Sequence, residues 1–198
     1  MKRMSAPVAA AMFFATSLPA PAAHVAALKI GGPAPDFTLP AASDGKAVAL
    51  KELLAKSKAV AVVFVATKCP VSNAYNTRIA AFGREYAAKG IPLVGINSNK
   101  TEPATEVKEH AEKHGFTFPV LKDDGNKIAD AYGATKTPEV FVLDPKRNLL
   151  YHGRIDENQD DARSVRSPDL RNALEAILAG KPVPAAETKA FGCTIKRV

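Results

Sequence analysis

The stretch Val60 to Ala66, Val-Ala-Val-Val-Phe-Val-Ala, constrains this chain more than any other. It is apolar at every position and rich in β-branched side chains, so the strand it predicts must be covered on both faces. A second run of this kind, Ile91 to Asn97, follows a segment from Asn73 to Lys89 in which Ile79, Phe82 and Tyr86 recur at helical spacing and Gly90 is the stop. Two doubly buried strands joined through a helix imply an α/β fold whose sheet carries helices on both sides.

The other elements fit around that centre. Ala34–Pro40 reads as a short strand, Gly45 as a turn, and Lys46–Leu50 as its hairpin partner, followed by a short helix over Leu50–Ser57. Thr105–His114 is helical and ends at Gly115, Phe118–Asp123 is strand-like, and Ile128–Tyr132 is about one and a half helical turns. Glu139–Asp144 and Leu149–Ile155 are two strands close enough to form an antiparallel hairpin through Pro145–Asn148, so the sheet is mixed. Ser167-Pro168-Asp169 reads as a helix start, with a capping residue, a proline in the first turn and an acid near the positive end. Leu170, Ala173, Leu174, Ile177 and Leu178 then make one apolar face that ends at Gly180. Ala179–Ala190 is poor in large apolar groups and reads as a flexible tail carrying Cys193. There is no internal repeat or low-complexity block.

Residues 1–22 are set apart from this fold. Lys2 and Arg3, the apolar run Pro7–Leu18 and the small residues Ala20-Pro21-Ala22 have the layout of a secretory signal peptide, with an uncleaved anchor or disordered tail as the alternative. The expected organisation is a signal peptide over 1–22, one domain over 23–180 and a tail over 181–198, with export to the periplasm. No later segment is long and apolar enough to span a membrane. Without Lys2 and Arg3 the net charge falls from +7 to +5, and the remaining basic residues are scattered, which gives a nucleic-acid partner no footprint. Two cysteines in an oxidising compartment permit one internal disulfide, although a chain of this size folds without one.

Cys69 stands where the buried strand ends and the next helix begins, with Pro70 suited to the first helical position. Unpaired N–H groups and the positive end of the helix favour the thiolate there, and Lys68 adds to the same effect. An inert, packed cysteine is the alternative.

Ala34–Pro40, the strand leading to Lys68-Cys69-Pro70, Leu93–Asn97 and Thr137–Asp144 occur in an order that resembles the thioredoxin-like redoxin superfamily, the branch of peroxiredoxins (the AhpC/TSA type) and periplasmic thiol–disulfide oxidoreductases. The resemblance runs from Ile30 to about Ala179. It implies a thioredoxin-like fold, a central mixed sheet with helices on both faces, and a nucleophilic Cys69 acting without a cofactor. It also implies that Thr137-Pro138 is cis, lies against the cysteine and leaves a backbone edge for a substrate strand. Two departures matter. The second position of a C-x-x-C pair is Ser72, and the proline and threonine of the peroxidatic P-x-x-x-T-x-x-C pattern are Val62 and Ala66, with Thr67 one place late.

Cys193 is therefore the candidate resolving thiol, with a static disulfide or a pairing in trans as alternatives. Closing a loop of roughly 120 residues would stabilise the fold by about 4–5 kcal/mol in the chain-entropy picture. The expected reaction is thiol–disulfide exchange with a protein or small-molecule disulfide and an external thiol reductant. The alternative is an antioxidant thiol peroxidase. Thr67, Pro70, Asn73, Thr137, Pro138 and Arg154 are the candidate substrate contacts; Tyr75 is considered with Asn73, capping and packing accounting equally well for both, and Arg154 with Asp156 also reads as strand-end ion pairing.

A metal is not expected. His110 and His114, with Glu106 a turn earlier, do not make H-E-x-x-H and read as a solvated helix face. A copper-handling protein of the same fold, with a C-x-x-x-C-P motif and a distant histidine, is the lower-ranked, non-enzyme alternative: Val65 stands where its first cysteine would be, and Cys69 with His152 alone makes a poor soft-metal site.

Overall fold

The structure, a computed structural model, describes residues 28–198. The expected signal peptide therefore lies outside the described residues. In chain order the elements are β1 (Thr38–Pro40), β2 (Ala47–Ala49), α1 (Leu50–Leu54), β3 (Val60–Phe64), α2 (Pro70–Ala74), α3 (Asn76–Ala88), β4 (Leu93–Asn97), α4 (Ala104–Lys113), β5 (Val120–Lys122), α5 (Lys127–Tyr132), β6 (Lys136–Thr137), β7 (Glu139–Leu143), β8 (Leu149–Gly153), α6 (Asp169–Leu178) and β9 (Cys193–Thr194). The central sheet has the order β5-β4-β3-β7-β8. β3 pairs in parallel with β4 and β4 with β5, whereas β7 is antiparallel to both β3 and β8. The sheet is mixed, as the resemblance implies.

The alternation of side chains along β3 explains why its sequence is apolar throughout. Val60, Val62 and Phe64 point into one core with Leu50 and Leu54 of α1 and Ala129 and Tyr132 of α5. Ala61, Val63 and Val65 point into the other, with Ile79, Phe82 and Tyr86 of α3 and Leu170, Ala173 and Leu174 of α6. Every residue of β3, β4 and β7 is buried. Helices cover both faces because neither can be left to water.

Three local expectations change. The helix read as continuous to Lys89 is two helices: Tyr75 ends α2 and begins α3. Ser167 does not cap α6: the N-cap position is Pro168, with no side-chain cap, and the Ser167 hydroxyl donates to Asp169 at 2.6 Å. The third is the C-terminal segment, which is docked rather than free. Ala186–Thr188 runs beside β8, where His152 N–H donates to Ala186 O and Thr188 N–H to His152 O, both at 2.9 Å. Gly153 permits this approach, since a Cβ there would lie 2.0 Å from Thr188 Oγ1. Further on, Phe191 packs against one core and Ile195, 3% exposed, is buried in the other. Two large apolar residues on either side of β9 thus fix a segment whose composition reads as a tail. Among the described residues, no helix is long and apolar enough to cross a membrane.

Candidate active site

β3 delivers the chain to Cys69, which is the N-cap residue of α2, with Pro70 at the first helical position. Cys69 Sγ accepts the Ser72 N–H at 3.3 Å and its thiol donates to Thr137 O at 3.3 Å. Ser72 is fully buried, and its hydroxyl accepts the Ala66 N–H at 3.1 Å, so the residue at the second C-x-x-C position ties the strand end to the helix. Because α2 has five residues, its dipole is small; specific neighbours act on the sulfur instead.

Thr137-Pro138 is cis, and Thr137 pairs with Cys193 across β6 and β9. Both cysteines are free thiols and line one cavity of about 340 Å³, together with Lys68, Glu102, Thr137 and Lys196. Burial pushes the Cys69 thiol up, but the Cys193 thiol, the Ser72 N–H, the Thr137 hydroxyl and the Cys193 main chain outweigh it, leaving Cys69 below its ordinary value. The Thr137 hydroxyl is buried and has no hydrogen-bond partner of ordinary geometry, so it stays available to a developing negative charge on the sulfur. Burial and the adjacent Cys69 push Cys193 the other way, upward. The pair is chemically unequal: Cys69 gives up its proton first and Cys193 keeps its own.

The loop before Cys69 is held by a residue that sequence reasoning missed. Glu102 is 2% exposed, and its carboxylate accepts the Lys68 N–H at 3.0 Å, the Thr67 N–H at 2.9 Å, Asn97 Nδ2 at 2.5 Å and Asn99 Nδ2 at 3.2 Å. Lys122, also buried, donates to Asn97 Oδ1 at 3.1 Å and Asn99 O at 2.7 Å, which links a cation to the carboxylate through Asn97. The polar run Asn97-Ser98-Asn99 directly after a buried strand was the available signal, since buried amides require partners. On the other side of the site, Glu139 accepts the Thr135 and Lys136 N–H groups at 2.8 Å each and fixes the turn into Pro138.

Several candidate residues are placed elsewhere. Lys68 turns away from the sulfur, with its ammonium 2.8 Å from Glu106 and donating to Thr101 O. The Thr67 hydroxyl donates to Glu106, and Asn73 Nδ2 donates to Thr67 O at 2.9 Å. Arg154 is ion-paired with Asp169 at 2.6 Å and does not line the cavity, so strand-end pairing is its observed role. Asp156 is engaged by Arg78 at 2.7 Å and by the Tyr75 hydroxyl at 2.9 Å. Tyr75, 1% exposed, is a packing residue.

The histidines are also committed. His110 is half-buried rather than solvated: it lies 3.1 Å from Asn76 Nδ2, and its ring stands 4.4 Å from that of His114. His152 is 2.7 Å from Glu139, stacks on Phe141 and does not line the cavity, while Val65 is buried in the core. Among the described residues, no group of three or more His, Cys, Asp or Glu is placed to hold a metal ion.

The sequence profile of the AhpC/TSA family matches residues 30–152, which includes Lys68, Cys69, Glu102 and Thr137 of this site and leaves out Cys193, Thr194 and Lys196. The chain is 31% identical over 117 residues to thiol-disulfide oxidoreductase ResA of Bacillus thuringiensis, a match covering 59% of this chain and 65% of that protein. With its counterpart from Halalkalibacterium halodurans the match covers 58% of the relative, so the chain spans about three fifths of the length of these curated relatives. Among solved structures, a hypothetical protein from Sinorhizobium meliloti is 35% identical, with a TM-score of 0.80 over 87% of this chain and 97% of the other. Peroxidoxin BcpB from Mycobacterium tuberculosis, 23% identical with a TM-score of 0.62 over 77% of this chain and 97% of the other, shares the fold.

Proposed function

The chain belongs to the AhpC/TSA family, and from that premise we propose that it is an exported, periplasmic thiol–disulfide oxidoreductase in which Cys69 is the nucleophile and Cys193 resolves. The observation that carries this reading is the placement of the two free thiols in one cavity with opposite shifts in acidity. The Cys69 thiolate attacks one sulfur of a substrate disulfide; a Cys69–substrate disulfide forms and the first substrate thiolate leaves. Cys193 gives up its proton and attacks Cys69 Sγ, releasing the second substrate thiolate and leaving a Cys69–Cys193 disulfide. Two protein thiols are oxidised and one substrate disulfide becomes two thiols. Two thiols of an external reductant then reduce the Cys69–Cys193 disulfide to two thiols, are themselves joined as a disulfide, and so complete the cycle.

Cys193 supplies from another strand what C-x-x-C supplies from the next helical turn. Ser72 does not compete, because it is fully buried and bonded to Ala66. Peroxide chemistry has less support: the position three before Cys69 is Ala66, and the Thr67 hydroxyl is bound to Glu106.

Stopped-flow oxidation of the reduced protein separates the two chemistries. With hydroxyethyl disulfide, Cys69 should react roughly tenfold or more faster than a free thiol of ordinary pKa at pH 7. With hydrogen peroxide it should react at about the free-thiol rate. Rapid oxidation by peroxide with a sluggish response to the disulfide would reverse the assignment.

A further inference from the structure

The main-chain edge beside Cys69 is already occupied. β6, Lys136–Thr137, borders the thiol, and among the described residues its strand partner is β9, Cys193–Thr194, from the same chain. An unpaired strand edge is where an extended peptide can add itself by main-chain hydrogen bonds, and at this edge such a peptide would bring its own sulfur onto Cys69. Here the resident strand brings Cys193 there instead.

The resident strand is firmly seated. Ile195 N–H donates to Thr135 O at 3.0 Å, Lys100 N–H to Lys196 O at 3.0 Å, and Lys196 N–H to Asn99 Oδ1 at 2.7 Å. Phe191 and Ile195 anchor it in the two cores. The approach is close enough to select the residue type: Gly192 has φ +140°, and a Cβ on it would lie 2.1 Å from Thr137 O. An incoming peptide would have to displace this strand. The cavity of about 340 Å³ still reaches both sulfurs, and Thr101, Glu102 and Lys196 are among the residues that line it. That volume suits a small molecule.

Resting on the oxidoreductase reading, we infer that β9 is a built-in strand that closes the peptide-docking edge and restricts Cys69 to small-molecule disulfides entering through the cavity. Specificity then lies in Gly192 and the strand it seats, and Cys69 supplies the reactivity.

The test uses the full chain with Cys193→Ala as a trapping background, so that mixed disulfides on Cys69 accumulate and are counted by mass spectrometry. The probes are hydroxyethyl disulfide and an extended peptide carrying one disulfide. Adding Gly192→Val should unseat β9. The ratio of peptide capture to hydroxyethyl disulfide capture is expected to rise roughly tenfold or more. Ile195→Lys, which removes the anchor instead of the glycine, should give the same pattern. Hydrogen exchange must show faster exchange over residues 190–198 with the central sheet still protected. Equal capture of peptide and small disulfide before β9 is released would overturn the restriction while leaving Cys69 as nucleophile. Unchanged peptide capture after β9 is released would also overturn it. Capture of neither probe would remove the oxidoreductase reading itself.

Discussion

Cys69→Ser abolishes turnover in a dithiol-coupled disulfide assay, with an expected loss of at least roughly a thousandfold, because a serine hydroxyl stays protonated where a thiol ionises. The substitution leaves the scaffold nearly intact. Serine is a favourable N-cap residue, and its oxygen can accept the Ser72 N–H that the sulfur accepts now. Unfolding free energy is therefore expected to change by no more than about 1 kcal/mol. Loss of activity together with stability within that range assigns the effect to the sulfur. A Cys69→Ser protein that still turns over would remove the site from consideration. The pH profile of the wild-type protein gives the same conclusion from another direction. The thiolate is the reactive form, so the rate rises with pH and levels off once Cys69 is ionised. Hydrogen bonds hold that thiol below its ordinary value, so the plateau should be reached at lower pH than for a free thiol.

Glu102→Ala is expected to cost about 3–5 kcal/mol of stability, the range seen when a buried charged network loses one partner. Its carboxylate satisfies two main-chain N–H groups and two side-chain amides, all of which lose this acceptor at once, and of these Asn97 Nδ2 keeps a second one, Val65 O at 3.3 Å. Lys122, buried on the other side of Asn97, is left as a cation without that nearby negative charge. For a chain of this size the loss corresponds to a fall in melting temperature of about 10 °C. Thr67 and Lys68 directly precede Cys69, so its reaction with a small disulfide should slow by roughly tenfold through loss of positioning. Glu102→Gln keeps one acceptor oxygen and should recover part of the stability. Thermal unfolding of the two variants checks this, and an unchanged melting temperature in Glu102→Ala would show that the four donors are satisfied without the carboxylate.

The parts of this molecule that could be read from its sequence are those decided by local pattern. Val60–Ala66 had to be covered on both faces, and its side chains do alternate between two cores. Cys69-Pro70 had to open a helix, and Cys69 is its N-cap. The cis bond at Thr137-Pro138 came from the resemblance; periodicity carries no information about it. What could not be read depends on where distant segments meet. Glu102 beside Pro103 resembles any solvated loop acid, and only the fold brings the Thr67 and Lys68 amides onto it. Lys68 is next to Cys69 in sequence, but Glu106 draws its ammonium away. Arg154 has its partner in Asp169 across the start of α6, a contact with no sequence signature. The stretch Ala179–Ala190 reads as free because it is poor in large apolar groups. Its docking rests on two anchors, Phe191 and Ile195, and on two glycines, Gly153 and Gly192, that allow backbones to meet.

The most direct measurement is peptide mapping by mass spectrometry after the reduced protein has met one equivalent of hydroxyethyl disulfide. A Cys69–Cys193 crosslink within a single chain, with the mass of two lost hydrogens and no retained adduct, is the expected result. Recovery of Cys193 as a free, alkylatable thiol, with Cys69 either still carrying the adduct or joined to a second chain, would contradict it.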